Sequence, residues 1–456
     1  MKGSLSVLPA NLLWRSIFRQ DFRGARSLDA FTRLSPGDQR LIIWERLLAQ
    51  IRYFGDRGDA LPEWREAAKA RTWQELSGIW ADLPIVTKET LRRQFPPEGI
   101  RDRFGVQGHP DASGGSTGEP TRFLHDAGMI AASGASTCFG RQRMGWRPGM
   151  PTIILWGSER DLGRSTPLLK RISQRLLSFH MLDGYRIHQE TLDRCAHLIR
   201  LHRPVAMYGF TSILTHVARE FQRRQITFPQ GSVQAAWNGG EMLFQDDAEL
   251  FRSVFGVPLL NCYGGRELGL MACQWEGGGP MRVVRPYLML EVVDDRGRPV
   301  EPGSPGRLLW TSTVCRGTPF LRYEIGDIGS YVASDCDLSG IHQLRQIEGR
   351  IGSVLILPNG RAANMLFWNH LFKEFPEVHQ FQIRLRADRS VLILLKGEVL
   401  APGRQGQLEG MVHGFLGDTP VTFRQTERIP LTSQGKLIQV VREGDGTPST
   451  DGSPVA

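Results

Sequence analysis

The chain has 456 residues, 41% hydrophobic and 23% charged, which supplies a sizeable core and excludes a disordered chain. Lys and Arg number 56 against 47 acids, a balance of +9 with no basic block and no nucleic-acid motif, so nucleic acid is not expected as a partner. Six cysteines stand without C-x-x-C spacing, which points to free thiols and a cytoplasmic location, and no apolar run reaches the length of an integral membrane segment.

Residues 1–26 hold Lys2, Arg15, Arg19, Arg23 and Arg26 against Asp21 alone, with Leu12, Leu13, Trp14, Ile17 and Phe18 between them. A helix docked on the body is the favoured reading. A basic amphipathic helix on a membrane surface and a transit peptide are the alternatives. Leu41, Trp44, Leu47, Leu48, Ile51 and Phe54 recur at three- and four-residue spacing, which predicts a helix over 39–54. A second helical stretch over 64–80 leads into Leu83-Pro84-Ile85-Val86-Thr87-Lys88.

Ser113-Gly114-Gly115-Ser116-Thr117-Gly118 follows, closed by Glu119 and Pro120. Glycine permits close backbone approach, successive free N–H groups make an anion site, and the hydroxyls add donors, a chemistry suited to a polyphosphate. No Gly-Lys-Ser/Thr follows, so it is not a Walker A loop, and it lacks the dinucleotide fingerprint. A flexible surface turn is the bland alternative.

Between 150 and 270 strands and helices alternate, the pattern of βαβ units and a parallel sheet. The predicted strands are Thr152–Trp156, Val205–Tyr208, Val233–Trp237 and Pro258–Tyr263, with helices from Glu190 and over Thr211–Arg224. Such sheets bind ligands at the carboxyl ends of their strands. Trp156, Tyr208, Trp237 and Tyr263 all fall there, and the first three, with Asn238, are the expected substrate pocket. After Pro286 the pattern turns to β: strands at Leu288–Val293 and Arg307–Thr313 flank a turn. Beyond Gly349–Gly352 come a helix near Asn364–Phe375, strands at His379–Leu385 and Val391–Leu395, and a helix over Gln405–Phe415. The tail from 443 is Gly-, Pro- and Ser-rich and is expected to be disordered.

Five further stretches stand in order after the 113–118 loop: Asn238-Gly239-Gly240-Glu241, Tyr263-Gly264-Gly265-Arg266-Glu267, Arg322-Tyr323-Glu324-Ile325-Gly326-Asp327, Gly349-Arg350 and Gly435-Lys436. From about Leu83 to Val441 the set resembles the adenylate-forming superfamily, closest to its phenylacetate–coenzyme A ligase branch and capsule-biosynthesis-like relatives. The resemblance implies an α/β fold: a large N-terminal domain, 1–348, with mostly parallel sheets and helices plus a β-rich part. A small α+β C-terminal domain, 349–442, is joined to it by a hinge.

The resemblance also implies the chemistry. ATP and a carboxylic acid give an acyl-adenylate, and a thiol of coenzyme A or of a carrier protein's phosphopantetheine displaces AMP. Ser113, Gly114, Gly115, Ser116, Thr117 and Gly118 would hold the phosphates, and Glu267 would ligate Mg²⁺. Gly239, Gly240, Glu241 and Tyr263 would hold adenine, Asp327 the ribose, with Arg350 near ribose or α-phosphate. Lys436 would bridge the carboxylate and the α-phosphate. The acid is expected to be aromatic or small and hydrophobic, and the +9 balance is compatible with an acidic acyl carrier protein.

Three departures bear on this. Gly114 replaces a second Ser of the branch, and Glu119 replaces a frequent Lys. Gly352 stands where the hinge usually carries Asp or Lys. Cys273 is followed by Gln274-Trp275, with Met281 where a His would be needed, so the zinc of some relatives is not expected. Glu119 and Gly352 keep open a non-catalytic or adenylate-transferring nucleotide-binding protein on the same fold. The N-terminal segment alone keeps open a membrane-surface protein of polysaccharide or lipid assembly.

Overall fold

The computed structural model describes residues 21–57, 60–99, 105–113, 121–156, 178–184, 187–333, 340–350, 354–356, 362–364, 368, 371–372, 374–375, 377–386, 388, 390–429 and 440–442. Its first helices are α1 (Phe22–Phe31), α2 (Pro36–Gly55), α3 (Pro62–Ala68), α4 (Trp73–Trp80) and α5 (Lys88–Gln94). The periodic stretch read as 39–54 is α2, started by the Ser35 side chain and Pro36. The stretch read as one helix over 64–80 is two. Thr72 accepts a hydrogen bond from the Glu75 N–H at 3.2 Å and so starts α4 afresh.

A hairpin of β1 (Gly108–Ala112) and β2 (Arg122–Asp126) brackets the 114–120 stretch, which lies outside the described residues. Asp126 then caps α6 (Ala127–Arg143), accepting from the Met129 N–H at 2.7 Å. Sequence periodicity did not single out this helix: it is rich in Gly, Ser and Ala, and both its sides are covered. Gly140 sits against Leu270, whose Cδ2 would lie 2.3 Å from an added Cβ.

Next comes the parallel sheet. β3 (Thr152–Trp156), β4 (Phe179–Asp183), β5 (Val205–Gly209) and β6 (Val233–Asn238) lie in the order β4-β3-β5-β6. Helices α7 (Gln189–His202), α8 (Thr211–Arg223) and α9 (Gln245–Phe255) supply one face, where Ile153, Leu155, Val205, Met207 and Ala236 pack with Cys195, Val217 and Phe251. On the other face Ala206, Ala235 and Trp237 pack with Phe22 and Leu28 of α1 and Cys138 and Phe139 of α6. Cover on both faces explains why these strands read as continuous apolar runs. A β-bulge breaks the β5–β6 register: Val205 pairs with Val233, but Ala206 pairs with Ala235 and Tyr208 with Trp237, leaving exposed Gln234 as the extra residue.

The run 258–263, expected as a further parallel strand, joins this sheet only through a bridge from Leu260 to Trp237. The chain then enters a second sheet of β7 (Cys262–Gly265), β8 (Gly269–Gln274), β9 (Met281–Val283), β10 (Leu288–Val293), β11 (Gly306–Ser312), β12 (Tyr323–Tyr331) and β13 (Gln343–Arg350). Its order is β10-β11-β12-β13-β9-β8-β7, and the pairs β7–β8, β8–β9 and β9–β13 are antiparallel. Among the described residues the four-stranded sheet is parallel, with helices as its crossovers, and the seven-stranded sheet is the β-rich part expected beside it.

The chain forms two compact units: 1–291 with 309–325 and 332–345, and 292–308 with 326–331 and 346–456. In the second, β14 (Val354–Ile356) pairs with β15 (Ala362–Asn364). Strands β16 (Val378–Leu385), β17 (Val391–Gly397), β18 (Val421–Gln425) and β19 (Val440–Arg442) make a mixed sheet in the order β18-β17-β16-β19. Leu408, Val412 and Leu416 of α10 (Pro402–Leu416) pack with Ile383, Ile393, Trp368 and Phe375 as its core. Asn364 ends a strand, and behind it Trp368, Leu371 and Phe372 are helical, within the helix expected near 364–375. The hinge residue Gly352, the 443–456 tail and residues 1–20 lie outside the described residues.

Candidate active site

Ser113 and Thr121 close the root of the 114–120 loop. The Ser113 N–H donates to the Thr121 carbonyl at 2.9 Å, and the Thr121 N–H donates to Ser113 Oγ at 2.9 Å. The two strand ends thus stand close together on either side of the 114–120 stretch. Gly114 to Gly118 themselves lie outside the described residues.

Glu267 sits in the β7–β8 turn and is buried. Two ties bring this turn to the loop's root. His125 on β2 bonds through Nε2 to the Glu267 carbonyl at 2.8 Å, and since a carbonyl only accepts, Nε2 carries the proton. Arg266 reaches the Ala112 carbonyl at 3.5 Å and lies 4.0 Å from the Asp111 carboxylate. Gly269, at φ 71°, lets the turn settle on Ser133 of α6, where any side chain would collide. No sequence motif marks His125 as a neighbour of this turn.

At the carboxyl end of the parallel sheet the expected aromatics do come together. Trp156 stacks on Tyr208 at 5.2 Å and on Phe210 at 4.1 Å, and Tyr208 stacks on Trp237 at 5.8 Å. The row follows from register, because β3, β5 and β6 are neighbours and each carries an aromatic as its last or next-to-last residue. The Gly239–Gly240 turn lies against it: a Cβ on Gly239 would come 2.8 Å from the Tyr208 hydroxyl oxygen, and one on Gly240 2.8 Å from Phe210. Gly240 also has φ 74°. Both glycines are therefore required by shape.

Asn238 is fully buried and occupied within the protein. Its amide donates to Thr211 Oγ1 at 2.8 Å and to the Glu241 carbonyl at 2.9 Å, and its oxygen accepts from the Cys262 N–H at 2.8 Å. Glu241 accepts from the Ser212 N–H at 2.7 Å and from its hydroxyl at 3.0 Å, a carboxylate at the start of α8. Tyr263 lies 5.9 Å from Trp310 in a tilted pair. Asp327 is buried on β12, in segment 326–331 of the smaller unit. Arg350 ends β13 with its side chain outside the described residues, as Lys436 is entirely.

Arg322, which opens the Arg-Tyr motif, has a structural task. It is buried with φ 46°, donates to the carbonyls of Ala81 at 2.7 Å and Leu83 at 2.6 Å, and pairs with Glu291 at 3.2 Å. Val86 bonds the Arg322 carbonyl in turn, so the Leu83–Lys88 stretch is fastened to the Arg-Tyr motif. Burial raises the Glu291 carboxyl above its usual range, opposed by the Arg322 charge.

The AMP-binding enzyme family matches residues 113–316, the stretch from the loop's root through both glycine turns. Over that stretch the chain is similar to AMP-binding, adenylate-forming enzymes. A phenylacetate-coenzyme A ligase of Thermus thermophilus is 25% identical over 288 residues, 60% of this chain and 62% of that relative's length. An open conformation of 2-hydroxyisobutyryl-CoA ligase, in complex with 2-HIB-AMP and CoA, superposes with a TM-score of 0.60 at 16% identity, covering 88% of this chain and 90% of that one. ATP-bound MatB from Rhodopseudomonas palustris gives a TM-score of 0.50 at 14% identity, over 72% and 66% of the two chains. At these identities the structural likeness is one of fold.

Proposed function

We propose that this chain is an ATP-dependent acid–thiol ligase. A carboxylate oxygen of an aromatic or small hydrophobic acid attacks the α-phosphorus of ATP, and pyrophosphate leaves. The thiol of coenzyme A, or of a carrier protein's phosphopantetheine, then attacks the acyl carbon and AMP leaves. The observation that carries this reading is the meeting of the loop root at Ser113 and Thr121 with the Glu267 turn, through His125 and Arg266.

In this reading the 113–118 backbone holds the phosphates. Among the described residues no group of three or more His, Cys, Asp or Glu surrounds Glu267. A lone carboxylate suits Mg²⁺, which takes one or two protein carboxylates and fills its shell with phosphate oxygens and water. When bound, that ion would neutralise charge on the phosphates. The Gly239–Gly240 turn and Tyr263 flank the adenine, and Glu241 acts by fixing the turn to α8. Asp327 takes the ribose hydroxyls. Arg350 and Lys436 are assigned as the phosphate and carboxylate cations from their motif context, with 349–442 as the lid that carries Lys436.

Carboxylate-dependent exchange of labelled pyrophosphate into ATP tests the reading across aryl, fatty and amino acids. Glu267→Gln should lose about 100-fold or more at limiting Mg²⁺, the scale of one preorganised electrostatic contact. Wild-type exchange in that variant removes Glu267 from the metal. ATP binding without exchange on any acid would make the chain a nucleotide-binding protein instead.

A further inference from the structure

Two arginines close helix α6, and they are treated differently. Arg143 pairs with Asp29, donates to Thr32 Oγ1 at 3.2 Å and lies 4.5 Å from the Trp275 ring. Arg141 has neither an ion-pair nor a hydrogen-bond partner for its guanidinium among the described residues. It is half-buried, with its guanidinium carbon 6.0 Å from the Tyr208 ring centre and 5.8 Å from that of Trp237. It thus lies beside the aromatic row at the strand ends.

The titratable groups around it carry no negative charge at neutral pH. Cys138 is pushed up to about 12 by burial, and the Cys262 thiol is also raised well above its ordinary value, first by burial. Tyr208 is a phenol, neutral at this pH. Burial lowers the guanidinium's own pKa, but an arginine stays protonated. A basic residue in a helix's last turn complements the helix dipole, yet that task is served as well from solvent. Here the cation is held partly out of water against two rings, which costs free energy unless an anion meets it.

Resting on the acid-activating reading, we propose that the acyl site takes an aromatic dicarboxylate, one carboxylate being activated and the other bound by Arg141. The ring would pack along Trp156 and Tyr208. The planar fork of arginine matches a carboxylate with two parallel hydrogen bonds, and the two aromatic rings keep competing water away.

Calorimetric titration with benzene-1,4-dicarboxylate and with benzoate tests this apart from catalysis. The wild-type protein should bind the dicarboxylate at least tenfold more tightly. Arg141→Met should bring the ratio of the two affinities close to one, and Arg141→Lys should keep part of it. A wild-type ratio near one, no binding of the dicarboxylate, or an unchanged ratio in Arg141→Met overturns the proposal. If Arg141→Met does not fold, the wild-type ratio and Arg141→Lys decide. The ligase reading fails separately: a tenfold preference without pyrophosphate exchange on any acid would refute catalysis and leave this site standing.

Discussion

Replacing Arg322 by Met keeps the length of the side chain and removes its charge. Three interactions go: the carbonyls of Ala81 and Leu83 lose a donor, and Glu291 loses its cation. Breaking one partner out of a buried ion pair costs about 3–5 kcal/mol, because the other charge is left without compensation. Glu291 can escape by taking up a proton, and burial already favours its neutral form. A carboxyl whose folded pKa lies above its unfolded value stabilises the fold at low pH and loses that contribution as pH rises through the folded pKa. The destabilisation of Arg322→Met should therefore grow between pH 5 and pH 8, by at most about 1.4 kcal/mol per pH unit above the carboxyl's unfolded range. Urea midpoints of wild type and variant at both pH values read this directly. Arg322→Met with Glu291→Gln should remove most of the pH dependence. A penalty below about 1 kcal/mol, or one equal at the two pH values, would refute the view that Arg322 holds a buried carboxylate rather than a ligand.

Asn238→Ala should destabilise by about 3 kcal/mol, near 1 kcal/mol for each of its three hydrogen bonds, and lower the thermal midpoint by roughly 3–6 °C. Asn238→Asp keeps the acceptor for the Cys262 N–H and should fall between, so equal midpoints for the two variants would count against this account. Burial pushes Cys138, Cys195 and Cys273 up to about 12 from an ordinary 9.0, so these thiols should resist iodoacetamide at pH 8 until urea is added. The same shifts stabilise the fold fully below about pH 9 and lose that contribution as pH climbs toward 12. Rapid native labelling of any of the three, seen by mass spectrometry, would contradict their burial.

Three of the four parallel strands were legible because cover on both faces leaves an apolar signal, as in Thr152–Trp156, while Phe179–Asp183 was not singled out. The aromatic row was legible for a related reason: parallel strands end at one edge, so aromatics at their carboxyl ends become neighbours. Helix α6 was not, since a Gly/Ser/Ala helix packed on both sides shows no stripe. Pro258–Tyr263 misled because an apolar run does not say which sheet receives it. His125, Arg141 and the Arg322–Glu291 pair were hidden for another reason. Each matters through a partner distant in the chain: 142 residues separate His125 from Glu267, and 31 separate Arg322 from Glu291.

The bulge at Gln234 has a consequence for how such a site can diversify. Side chains alternate faces along a strand, so one extra residue reverses the orientation of all that follow it. Val233 faces the α7–α9 core, and two residues further on Ala235 faces α1 and α6, because Gln234 absorbs the shift. Trp237 stays on the Arg141 side of the sheet, in register with Tyr208, while the extra residue is itself exposed. Without Gln234, Val233, Ala235, Ala236 and Trp237 would alternate as a regular strand does and keep the faces they have now, so a single-codon deletion there would leave the aromatic row in place. A gain or loss of one residue at this surface position is thus decoupled from the sheet edge, which point substitution in the row itself is not.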